Sequence, residues 1–175
     1  TVGDIEGLPY VETIRQIRLE KGMQNTVFVH LTLLPWLGTA GELKTKPTQH
    51  SVAALRTIGI QADIIICRSV KPIHSEAKRK ISLFCNVTPD RVMAAPDVDH
   101  IYELPLYLHA EGVDDRIIEQ LNIWSREPDL SRWEKVVRGL KAPGADEVVI
   151  GMVGKYVQLV DSYKSLNEAL AHGGL

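Results

Sequence analysis

From Pro9 to about Lys21, Val11, Ile14 and Ile17 recur at three-residue steps among polar positions, which predicts an amphipathic helix. Pro9 suits its first turn and Gly22 its stop. The rhythm then changes. Thr26 to Leu34 is an apolar, β-branched run between turn residues, as expected of a strand covered on both faces of a parallel sheet. A Gly- and Thr-rich loop leads to Pro47, after which Val52, Leu55 and Ile58 mark the inner stripe of a second helix, ended by Gly59.

The alternation continues with a strand from Asp63 to Cys67, a helix near Ser75 to Phe84, a short strand from Arg91 to Ala94, and helical segments between about Asp99 and Trp124. This βαβα order predicts an α/β fold with a doubly wound, mostly parallel sheet, whose ligand loops lie at the carboxyl ends of the strands. Three stretches divide the chain: 1–127 as the main α/β domain, 128–146 as a closing helix and linker, and 147–175 as the start of a second α/β domain. In the middle stretch Ser131-Arg-Trp-Glu134 reads as a capping box, with Leu130, Trp133, Val137 and Leu140 on one helical face. Lys141 to Asp146 reads as linker, Val148 to Val153 as the first strand of the new unit, and Tyr163 to Ala171 as its helix.

Composition changes little in this picture. The 175 residues are 45% hydrophobic, enough for a substantial core, and the net charge of −2 gives no sign of a nucleic-acid or membrane partner. Any anion site must be local. Cys67 and Cys85 end apolar runs without the spacing of zinc ligands, so they read as buried free thiols in a reducing, cytoplasmic setting. No apolar run reaches the ~18 residues needed to span a bilayer, and the front of the chain carries no secretory signal. The start at Thr1 without methionine and the stop at His172-Gly-Gly-Leu175 read as the ends of an interior segment of a longer protein.

The segment Gly41-Glu-Leu-Lys-Thr-Lys-Pro-Thr-Gln-His50 sets two lysines, two threonines and a glutamine at the entry to a helix. Lys44 and Lys46 supply mobile point charges, and hydroxyls with the unpaired N–H groups of a first helical turn can wrap phosphate oxygens. The alternative is a solvated helix start whose lysines bind nothing. Asp4 and Glu6 stand in a glycine-flanked turn; they can accept hydrogen bonds from a base or ribose, or simply cap the turn and complement a helix dipole. Lys80 follows Lys78-Arg79 on a predicted helix, where it can reach the same loop edge or face water. In Pro96-Asp-Val98, Asp97 follows a strand and can hydrogen-bond a nucleotide or cap the next helix. The six histidines share no ligand spacing. No Gly-x-x-x-x-Gly-Lys-Ser/Thr loop and no nucleophile elbow occurs, so the segment alone is expected to be inactive.

Gly3-Asp-Ile-Glu6, the block from Gly41 to Ser51 and Gly151-Met-Val-Gly-Lys-Tyr156, in this order and spacing, resemble CTP synthase along the whole chain. Gly59-Ile-Gln-Ala-Asp63 and Phe84-Cys-Asn-Val87 add to the resemblance. It implies a P-loop NTPase-like synthetase (amidoligase) domain followed by the first elements of a class I glutaminase domain. The implied ligase phosphorylates the uracil O4 of UTP with ATP, and ammonia from glutamine then displaces the phosphate to give CTP. Lys44, Thr45, Lys46, Pro47, Thr48, Gln49 and Lys80 match the residues that hold UTP or CTP. Asp4, Ile5 and Glu6 match the segment sensing inhibitory CTP, and Pro96, Asp97 and Val98 a segment near the ATP base. Mg2+, activation by GTP, a homotetramer and a cytoplasmic location are also implied.

Gly7 stands where the family often has serine, and Ser82 where it has alanine. The phosphate loop and magnesium carboxylates are expected upstream and the glutaminase triad downstream, so no catalytic residue and no metal ligand is assigned here. Two other readings stay open: a non-catalytic nucleotide-sensing or assembly module, and a related synthetase such as a dethiobiotin-synthetase-like enzyme. A further gene sequence with a Gly-x-Cys-x-Gly downstream would favour the ligase.

Overall fold

The computed structural model describes residues 2–142 and 148–175. One compact unit reaches to Pro128 and a second begins at Asp129.

The first unit is built on three parallel strands, β1 (Val29–Leu33), β4 (Ile64–Ser69) and β5 (Val92–Pro96), in the order β1-β4-β5. Val29 pairs with Ile64 and Leu33 with Arg68, while Ile65 pairs with Val92 and Ser69 with Pro96. Helices α2 (Lys46–Thr57) and α3 (Ser75–Cys85) are the two crossovers. They share one face, where Val52, Leu55, Ile65, Cys67, Ile81 and Val92 form the larger core. Helices α4 (Leu104–Ala110) and α5 (Val113–Leu121) cover the other face at β4 and β5, around Ile64, Met93 and Val113. The alternation along β4 serves both cores, because successive strand residues point to opposite faces.

Helix α1 (Leu8–Lys21) starts with Pro9 in its first turn and stops at Gly22, as the sequence predicts. Its apolar stripe is only partly covered: Val11 packs on the core, but Ile14 and Ile17 remain nearly half exposed. A polar anchor supplements it. Arg18 lies with its guanidinium 2.5 Å from the Asp63 carboxylate and 4.0 Å from the centre of the Phe28 ring, and its Nε donates to the Thr26 hydroxyl. Asp63 Oδ2 also accepts the Phe28 N–H at 2.7 Å, tying α1 to the sheet's entry.

The expectation that the first strand is covered on both faces is overturned. The face carrying His30 and Thr32 is buried, but Val29, Leu31 and Leu33 are 41%, 65% and 59% exposed. These three residues pair with Ile64, Ile66 and Arg68, and α4 and α5 cover β4 and β5 without reaching β1. The buried face is polar where it meets α2. Thr32 and Thr48 hydroxyls lie 3.0 Å apart, and His30 Nε2 is 2.9 Å from the Ser51 hydroxyl. Burial pushes the His30 imidazole below its ordinary value, favouring the neutral ring in that seam.

Cys67 and Cys85 are buried free thiols, as read from the sequence, and burial drives Cys67 up to about 11. The loop after β1 contains an unpredicted hairpin, β2 (Trp36–Leu37) with β3 (Glu42–Leu43), closed at Gly41 with φ +62°. Gly59, at φ +89°, ends α2 in a backbone region that side-chain-bearing residues rarely adopt.

In the second unit, α6 (Ser131–Lys141) and α7 (Lys164–Gly173) are the helices. The Ser131 capping box does not form: Ser131 is already helical, Leu130 is the cap, and the Ser131 N–H donates to Asp129 Oδ1 at 3.0 Å. The carboxylate two residues earlier takes the role expected of the hydroxyl. Residues 148–153 form no strand, and Val148, Val149 and Val153 are exposed. An isolated apolar run lacks the neighbouring strand that would satisfy its amides, and the described residues offer none. Most of the expected linker, from residue 143 on, lies outside the described residues.

Candidate functional site

The hairpin and two helix starts converge on a cleft of about 250 Å3, lined by Trp36, Glu42, Thr45, His74, Glu76 and Lys80. The β2–β3 turn brings Glu42 opposite Leu37, and the Lys44 N–H donates to the Pro35 carbonyl at 2.9 Å. Residues two apart on an extended chain share a side, so Glu42 and Lys44 meet as an ion pair at the cleft. From α3, Lys80 joins them: Lys44 above all, and Lys80 to a smaller degree, hold the Glu42 carboxyl below its ordinary range. The site thus pairs Glu42 with the Lys44 ammonium, while Lys80 and a second acid, Glu76, also line the cleft.

The segment 44–49 divides its labour. Lys46 and Pro47 are the first two residues of α2 and are exposed, leaving the amides of Lys46 and Thr48 without intrahelical acceptors. Thr45 is the buried cap residue, and Gln49 Nε2 donates to its hydroxyl at 3.1 Å. Thr48 is fully buried and faces Thr32 and the Leu33 carbonyl, so its side chain fixes the helix to β1. Lys44, Lys46 and Lys80 carry the positive charge, while Thr45, Thr48 and Gln49 hold the helix entry in place.

Of the predicted nucleotide-binding residues only Thr45 and Lys80 line this cleft, and the other two predicted groups are not among its lining residues. Asp4 caps the 3-10 turn Ile5–Gly7, accepting the Glu6 N–H at 3.3 Å, and Ile5 and Glu6 are exposed. Pro96 ends β5; the Asp97 N–H donates to the Ser69 carbonyl, and Asp97 Oδ1 accepts from Arg68 Nε at 2.8 Å. That places Asp97 at the carboxyl edge of the parallel strands, where open α/β sheets bind ligands.

Sequence reasoning missed Glu42, His74 and Arg68. Glu42 already stands in the Gly41–His50 segment, two residues before Lys44, but spacing alone does not show that the two pair. Arg68 and His74 are brought in by strand register and helix entry, which spacing alone does not encode.

Residues 1–123 match the family model described as CTP synthase N-terminus. The chain belongs to the CTP synthase family. All the candidate residues fall inside the stretch matched to that family's model. Over all 175 residues the chain is 58% identical to a CTP synthase of Syntrophus aciditrophicus, 57% to one of Pelobacter propionicus and 55% to one of Geobacter metallireducens. It spans about a third of the length of these curated CTP synthases, at 32%, 33% and 32% respectively. The likeness continues past residue 123 to Leu175, so the second unit also has its counterpart within them.

Proposed function

We propose that this chain carries the pyrimidine-nucleotide-recognising part of a CTP synthase that aminates UTP to CTP. What supports this reading is the Lys44–Glu42 ion pair beside the entry of α2, with Glu42 and Lys80 lining one cleft. A triphosphate brings several negative charges, and lysines from two elements with free first-turn amides offer compensating donors. UTP and CTP present the same triphosphate to this site, which makes them competitors through one shared subsite.

In this reading Lys44, Lys46 and Lys80 contact the polyphosphate, while Thr45, Pro47, Thr48 and Gln49 shape the loop and helix start. Asp4, Ile5 and Glu6 contact the cytosine of inhibitory CTP, across a subunit contact of a homotetramer. Pro96, Asp97 and Val98 lie by the ATP base. ATP phosphorylates the uracil O4, ammonia adds at C4 and phosphate leaves, with glutamine as the ammonia source and GTP as activator.

The first unit then belongs to a P-loop-like synthetase domain, the second leads into a glutaminase domain, and the enzyme works in the cytoplasm. Among the described residues no three His, Cys, Asp or Glu side chains gather to hold a metal. In this reading the carboxylates that hold Mg2+ lie outside this segment.

The test is CTP formation by the complete protein from UTP, ATP, magnesium and glutamine, followed by ultraviolet absorbance, with Lys46→Ala alongside. Turnover in the wild type that falls at least tenfold in the variant, with glutamine hydrolysis retained, supports the reading. A folded wild type that binds CTP without turnover overturns the ligase in favour of a sensor.

A further inference from the structure

In the cleft, Lys44 meets a carboxylate of its own chain. The backbone on both sides of that pair is held, by the β2–β3 pairing at Glu42 and by the Lys44 N–H to Pro35 carbonyl bond, so any exchange of partners falls to the side chains. Both side chains are well exposed, at 40% for Lys44 and 58% for Glu42, and an ion pair that open to water is weak enough to be exchanged. Lys80, on α3, lines the same cleft as Glu42 and adds a small favourable charge effect to it. A phosphate oxygen arriving at either lysine therefore competes with Glu42, and a carboxylate left close to a bound polyphosphate is a like-charge cost.

We infer that Glu42 is an internal counter-ion of the nucleotide site: it holds Lys44 beside a cleft that Lys80 also lines and must release Lys44 when the polyphosphate enters, so it limits nucleotide affinity. This rests on the proposed placement of the UTP triphosphate at Lys44 and Lys80. Displacement of the carboxylate from Lys44 makes binding weaker than the lysines alone would give. Glu76 does not share this role. It lines the cleft from the first turn of α3, where a carboxylate complements the helix dipole, and it is no part of the Lys44 pair.

The experiment is a calorimetric titration of the complete protein with UTP, without ATP, for the wild type and for Glu42→Gln, Lys44→Ala, the double variant and Glu76→Gln, each at two salt concentrations. Glu42→Gln is expected to bind UTP about 2- to 5-fold more tightly, the factor corresponding to loss of one exposed ion pair. The gain should shrink at higher salt and be smaller in the Lys44→Ala background. Uridine, which lacks phosphates, should show no gain. A structural role for Glu42 would weaken binding instead. The inference is overturned by unchanged or weaker UTP binding in Glu42→Gln, by a gain that is undiminished without Lys44, or by an equal gain in Glu76→Gln. If the wild type and Lys44→Ala bind UTP alike, the placement of the triphosphate itself fails, which separates that outcome from failure of the counter-ion alone.

Discussion

The Thr48 hydroxyl lies 3.0 Å from the Thr32 hydroxyl, in a buried contact that joins the start of α2 to β1. It belongs to the segment the sequence marks as an anion site, yet it faces the core and leaves the charge to Lys44, Lys46 and Lys80. Removing the Thr48 hydroxyl leaves Thr32 only its weak contact with the Cys67 sulfur, 3.7 Å away, whereas removing both leaves two apolar groups of similar shape.

Thr48→Val is therefore expected to lower the unfolding free energy by about 1–3 kcal/mol. Thr32→Val combined with Thr48→Val should cost less than the two single changes summed, since the sites touch. Urea unfolding of the four proteins gives the coupling directly. Additive losses would show that the hydroxyls act separately.

A second dependence concerns Arg18 and Asp63, whose side chains are only 13% and 12% exposed. Asp63 serves two donors, the Arg18 guanidinium and the Phe28 N–H. Asp63→Ala leaves both without a carboxylate, and a loss of about 3 kcal/mol is expected for breaking a buried pair. Asp63→Asn keeps an acceptor for the Phe28 amide and should lose less. Equal losses in the two variants, measured by urea unfolding, would place the whole effect in the charge.

Much of the first unit is legible in sequence for local reasons. Pro9, Gly22, Pro47 and Gly59 punctuate α1 and α2 because each fixes or frees a particular backbone angle. The parallel strands announce themselves by Ile64-Ile-Ile66 and Val92-Met93, which fill cores on two faces. What the sequence could not show depends on partners distant in the chain. Val29, Leu31 and Leu33 look like core, but α4 and α5 do not reach them. Residues 148–153 have a strand's composition without a strand beside them. At the site, the lysines were visible as charge, while Glu42 gained meaning only when the hairpin paired it with Lys44 at a cleft that Lys80 also lines.

The joint between α4 and α5 predicts a pH dependence. His109 Nδ1 lies 2.6 Å from Asp114 Oδ2 across the turn at Gly112. The Asp114 hydrogen bond raises the His109 imidazole above its ordinary value, against a smaller desolvation effect, with Asp115 and Glu127 adding negative charge nearby. Asp114 Oδ1 is buried without a hydrogen-bond partner, so the carboxylate's contact with the ring carries more of its stabilisation. Because the folded value is raised, the pair's stabilisation is fully present below the unfolded histidine value, about 6.5, and is lost as pH rises through the higher folded value. Unfolding free energy measured across pH 5.5–8.5, a span of roughly three units around that ordinary value, should fall with pH more in the wild type than in His109→Gln. The His109 ring proton resonances should titrate above about 6.5 in the wild type and move down in Asp114→Asn. A ring that titrates at or below the ordinary value, or a stability profile that His109→Gln leaves unchanged, would show that the contact holds the helices together without a proton.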